Sequence, residues 1–151
     1  MIQELIVATF DNLDVAQRAA RDLNNFEKDG DGFKIESGVM VEKTTDGKLQ
    51  VLTRYTGSYW GTVIGAVSGG LISLLGGPAG AIAGVVAGAG AGLAAHTLEH
   101  VLDKKLTGAI ERELRPGSVA LILETRNAPK DEVENVVLGY GGKVFTQPLS
   151  W

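Results

Sequence analysis

Forty-four consecutive residues, Tyr55 to Leu98, carry no Asp, Glu, Lys or Arg, and glycine recurs through them at a fixed interval. Gly57, Gly61, Gly65 and Gly69 lie four apart, and Gly80, Gly84, Gly88 and Gly92 repeat the spacing after the break at Gly76-Gly77-Pro78. Residues four apart share a helix face, so the pattern predicts a helical hairpin over 57–96 whose halves each present a groove almost free of side chains. Two backbones can then approach more closely than bulky residues allow. Each mid-helix glycine costs about 1 kcal/mol against alanine in water, so such helices need packing or lipid to offset the loss. The 21 glycines of the chain are about twice average usage, and many of them fall in this stretch.

Each half of the hairpin is close to 19 residues long, or about 28 Å as helix, near the thickness of a bilayer's hydrocarbon core. Val63, Ile64, Val67, Leu71 and Ile82 would face outward and require apolar surroundings, either lipid or protein. The membrane expectation puts both termini on the cytoplasmic side, with Lys43, Lys48 and Arg54 before the hairpin and Lys104 and Lys105 after it. Tyr59 and Trp60 would then anchor one end at the interface. The alternative is a cytoplasmic, soluble homo-oligomer with the hairpins buried between copies. It draws on the many outward alanines and on Ser58, Thr62, Ser68 and Ser73.

The flanking thirds read as an α/β head in two parts, 1–56 and 97–151. Residues 2–8 form an apolar strand, and Asp11 and Asp14 open a helix whose buried stripe is Ala16, Ala19, Ala20, Leu23 and Phe26. A hairpin follows: Phe33 to Lys43, a turn at Thr45-Asp46-Gly47, and a returning strand with Leu49, Val51, Thr53 and Tyr55 on one face. After the glycine segment, Leu98, Val101, Leu102, Leu106, Ile110 and Leu114 share one helical side, and Arg115-Pro116-Gly117 ends that helix. Val119 to Leu123 is continuously apolar, as a central strand covered on both faces would be. Pro129 opens a last helix buried through Val133, Val136, Val137 and Tyr140, and Lys143 to Thr146 closes the chain as a strand. The order predicts an α+β fold: a ferredoxin-like βαββαβ core with an extra C-terminal αβ unit, the hairpin being inserted before the second sandwich helix. Val119 to Leu123 would lie beside the first strand.

Chemistry is sparse. Without cysteine, disulfides, thiolate metal sites and cysteine nucleophiles are excluded. A formal charge of -4 argues against a nucleic-acid surface, and no basic-aromatic run of the RNA-binding kind is present. His96, Glu99 and His100 fit the H-x-x-E-H spacing of an inverted zinc protease, with two histidines one helical turn apart. A third ligand is not assignable, so the weightier reading is a polar cap at the hairpin's exit; the metal-dependent hydrolase is kept as an alternative from a different class. Phosphate-binding loops are absent, and Asp29, Asp31 and Asp46 read as turn formers. No cofactor is expected. The start of the chain lacks the pattern of a cleaved secretory signal, so a cytoplasmic chain, or one inserted without cleavage, is the expectation.

Four segments together resemble the bacterial domain-of-unknown-function 1269 family, often labelled as membrane proteins. They are E-L-I-V-A-T-F-D-N (Glu4 to Asn12), the apolar hairpin around Gly76-Gly77-Pro78-Ala79-Gly80, L-R-P-G-S (Leu114 to Ser118) and G-G-K-V (Gly141 to Val144). The resemblance spans essentially the whole chain. It implies a hydrophobic-hairpin protein without an established activity and supplies no catalytic residues. The expectation is a non-enzymatic protein that assembles with copies of itself through small-residue packing, in a membrane or as a structural or cargo-type assembly.

Overall fold

A strand apolar on both faces has to be paired on both edges, and Val119 to Leu123 meets that demand at the centre of the sheet. The computed structural model describes residues 3–29, 32–45, 49–52, 63–64, 86–87 and 104–149. In chain order these form β1 (Gln3–Phe10), α1 (Leu13–Asp29), β2 (Lys34–Lys43), β3 (Leu49–Val51), β4 (Val63–Ile64), β5 (Val86–Ala87), α2 (Lys104–Glu113), β6 (Val119–Arg126), α3 (Lys130–Gly139) and β7 (Lys143–Leu149). The fold is mixed α+β. Five strands make one sheet in the order β3-β2-β6-β1-β7, with every neighbouring pair antiparallel.

Alternation divides the apolar residues between the two faces. Ile6, Ala8, Phe10, Met40, Leu121 and Leu123 pack under α1 and α3, which contribute Ala16, Ala19, Ala20, Leu23, Val133 and Val137 to the same cluster. Three alanines on the buried side of α1 let its backbone sit close to the sheet. The opposite face is also buried at Leu5, Val7, Val39, Val41, Ala120 and Ile122. α2 lies against β1 and β7 and buries Ile110. Removing a side chain such as Leu121 would cost about 2–5 kcal/mol.

Helix ends explain much of the turn chemistry. The side-chain oxygen of Asn12 accepts the Val15 N–H at 3.0 Å, so the N-cap of α1 is Asn12 and not Asp11. Asp14 is in the first turn, where a negative charge favours the dipole, and pairs with Arg18 at 3.3 Å on an exposed face. α3 ends in a Schellman motif: the Gly142 N–H reaches the Val137 carbonyl at 2.9 Å and the Gly141 N–H reaches that of Leu138 at 3.0 Å. Gly141 has φ +76°, the left-handed conformation that motif requires.

Three expectations change. The closing helix and strand are no appendage, because β7 pairs along β1 and is the outer strand of the sheet on that side among the described residues. Within 57–96, the described residues Val63–Ile64 and Val86–Ala87 are strands paired in parallel, where the glycine spacing predicts helix. Both pairs contain β-branched residues, which favour extended backbone, and glycine every fourth residue lowers helix propensity further. Finally, among the described residues no helix is long and apolar enough to cross a membrane. This corrects the expectation of a transmembrane helix and of a membrane-associated chain with cytoplasmic termini. The remaining residues of 57–96, and Thr53 and Tyr55 of the expected returning strand, lie outside the described residues.

The tightest backbone approach is at Gly142, where an added Cβ would stand 2.6 Å from the Thr9 carbonyl oxygen and 2.7 Å from the Phe10 ring. Gly142→Ala is expected to destabilise the fold by about 1–3 kcal/mol through overpacking. An unfolding midpoint in urea unchanged from the parent would refute that account.

Candidate functional site

Arg115 to Ser118 forms a tight turn between α2 and β6. Proline at its second position and glycine at its third, with φ +88°, suit a type II turn, and the Ser118 N–H closes it on the Arg115 carbonyl at 2.9 Å. The Ser118 hydroxyl strengthens the closure, donating to the Arg115 carbonyl at 2.6 Å and accepting the Arg115 N–H at 2.8 Å. Lys43, at the end of β2, holds the turn from the other side. Its N–H donates to the Ser118 carbonyl at 3.0 Å and its carbonyl accepts the Gly117 N–H at 2.7 Å. The Lys43 ammonium donates to the Leu114 carbonyl at 3.1 Å, beside the C-terminal end of α2 where a positive charge is favoured.

A cleft of about 330 Å³ opens beside this turn. Its walls come from the end of β1 and the residue after it (Thr9 to Asp11), the end of α2 with the turn (Glu113, Arg115, Ser118), and Gly141 with the first residue of β7, Lys143. Three of the four segments that carry the family resemblance therefore meet here. Lys143 donates to the Glu113 carboxylate at 2.8 Å, tying β7 to α2. That hydrogen bond holds the Glu113 carboxyl below the usual glutamate range, with the charges of Lys143, Arg115 and Arg112 adding to the effect and partial burial opposing it.

Chemically the cleft is a joint with opposite charges at its rim. Its one serine is engaged with backbone, and Asp11 and Arg115 are exposed. Among the described residues no group of three or more His, Asp or Glu could hold a metal ion. A second polar surface, of about 400 Å³, runs along α1 past Asp14, Arg18 and Asp22 to Tyr140. There the Tyr140 hydroxyl donates to Asp22 at 2.7 Å, which together with partial burial raises the tyrosine above its ordinary range.

The positions singled out in the sequence fall elsewhere. Gly57, Gly61, Gly65, Gly69, Gly80, Gly84, Gly88 and Gly92, the aromatics Tyr59 and Trp60, and the candidate ligands His96, Glu99 and His100 all lie outside the described residues. The ties in the cleft and at the turn beside it join residues far apart in the chain, Glu113 with Lys143 in the cleft and Lys43 with Leu114 at the turn. Periodicity carries no signal for such pairs; the Pro-Gly turn was the one readable part.

A family model described as a protein of unknown function (DUF1269) matches residues 55–151, well over half of the chain. The chain belongs to the DUF1269 family. The match takes in the glycine segment, the Arg115–Ser118 turn and the Gly141–Val144 segment, while Glu4 to Asn12 precedes it, so the shared region is shorter than the resemblance implied. No curated protein and no solved structure matches this DUF1269 chain.

The Glu113–Lys143 tie gives a signed pH dependence. A carboxyl whose folded pKa is lowered contributes stability that is full above its unfolded value and is lost as pH falls through the folded one. Lys143→Met should therefore move the Glu113 carboxyl titration upward by NMR, and Glu113→Gln should flatten part of the acid limb of stability. A Glu113 titration indifferent to Lys143→Met would contradict the tie.

Proposed function

We propose that this chain is a non-enzymatic self-assembling protein, structural or cargo-type, in which a ferredoxin-like head carries the small-residue segment 57–96 and copies associate through that segment. Support for the head comes from strand order. Taken without β3, the order β2-β6-β1-β7 with every neighbour antiparallel is that of a βαββαβ unit built from β1-α1-β2 and β6-α3-β7. In this reading β3, the glycine segment and α2 are together the insertion, placed between the second and third core strands.

One observation carries the functional half of the proposal. Three polar side chains of the cleft are engaged in joining elements, the Ser118 hydroxyl closing the turn and Glu113 holding Lys143, and beside the cleft Lys43 meets the end of α2. A serine nucleophile would need an adjacent base and a free hydroxyl, and the Ser118 hydroxyl serves the backbone. The same joint holds both ends of the insertion to the head, as a fixed base for a segment that contacts another copy would require. The segment's glycine rows supply close-packing surfaces, and its lack of charge demands apolar company.

Gly65→Leu and Gly84→Leu are expected to lower the assembled mass of the full chain in sedimentation velocity, because each places a bulky side chain in the packing row. An unchanged distribution for both variants would defeat assembly through this segment.

A further inference from the structure

β7 is an outer strand of the sheet and, among the described residues, pairs with β1 alone. The direction of its backbone groups follows from alternation. The Lys43 N–H donates to the Ser118 carbonyl, so even-numbered residues of β6 turn their backbone groups toward β2 and odd-numbered ones toward β1. Thr125 therefore bonds across to Glu4, and Glu4 turns away from Pro148, which stands opposite it on the other side. Carried along β7, the alternation leaves Val144, Thr146 and Pro148 directing their backbone groups outward. Pro148 thus occupies a position where the missing N–H breaks no bond to β1.

A second observation points to the same edge. α3 packs against β7 on one side and α1 on the other. Val133 and Val137 face the core and Tyr140 reaches Asp22 of α1, so at 100° per residue Leu138 falls on the flank away from α1. It is 59% exposed, the large apolar side chain that stands out to solvent among the described residues.

We propose that a second copy of this chain pairs with β7 edge to edge and antiparallel, about a two-fold axis at Thr146. In that register the Thr146 N–H of each copy meets the Thr146 carbonyl of the other, and the Val144 N–H meets the carbonyl of the partner's Pro148. Every outward N–H then has an acceptor, and the proline supplies only the group it still has. Lys143 stays away from the partner's Lys143, so no like charges oppose each other across the seam. The two sheets become continuous with both α3 helices on one side, where each covers the other's Leu138. Among the described residues the opposite edge, β3, has three residues and offers a far shorter ladder. This contact rests on the self-assembly reading and adds to it a surface separate from 57–96.

The chain contains no cysteine, so a single Thr146→Cys places one thiol at the axis. The full-length variant is expected to yield a covalent dimer with a short bifunctional thiol reagent, whereas the exposed control Asn25→Cys on α1 is not. Thr146→Pro, which extends the Pro148 side of the ladder, and Leu138→Lys, on the surface, should each weaken dimerisation by about tenfold or more in sedimentation, at unchanged circular dichroism. A parent chain that sediments as a monomer would overturn both this contact and the self-assembly reading. A parent that assembles, with no cross-link through Thr146→Cys and no effect of Leu138→Lys, would overturn the edge pairing alone.

Discussion

Burial of β6 is the constraint from which the head follows. A strand apolar on both faces and hydrogen-bonded on both edges has to have neighbours on four sides, and each neighbour is a separate part of the chain. β1 and β2 take its edges, and α1 with α3 covers one face. The sequence satisfies these demands with small residues where helices must come close and with Phe10, Leu121 and Leu123 where volume is needed. The turn chemistry then serves the same centre, since Gly142 lets the start of β7 pass against Thr9 and Phe10.

Local signals made most of the head legible. Alternation and apolar runs placed β1 and β6, the alanine stripe placed α1, and Pro129 marked the start of α3; Val119 to Leu123 was also expected beside the first strand, where it lies. Sequence did not reveal which αβ unit completes the sheet. The choice depends on strand pairing between residues more than a hundred positions apart, such as Ala8 with Val144. The cap of α1 was misplaced by one residue because Asp11 and Asn12 are both good capping types and only geometry selects between them.

The glycine segment shows the limit of periodicity more sharply. A four-residue recurrence of glycine is compatible with a helix face, yet each glycine also removes helix propensity, and the residues between them include valine and isoleucine. At Val63–Ile64 and Val86–Ala87 extended pairing prevails. A hydropathy pattern alone weighs how apolar a stretch is and leaves the competition between backbone conformations undecided. The cleft was illegible for a different reason: its ion pair, and the lysine cap on the turn beside it, link sites that share no local pattern.

The ladder between Lys43 and the Gly117-Ser118 turn closes a long excursion of the chain at a single seam. Loop-closure entropy grows only with the logarithm of length, so doubling what lies between those residues would cost about 0.6 kcal/mol. Relatives in which this excursion has lengthened or contracted could keep the same head, because the seam fixes where the chain departs and returns and places little restriction on how far it travels meanwhile.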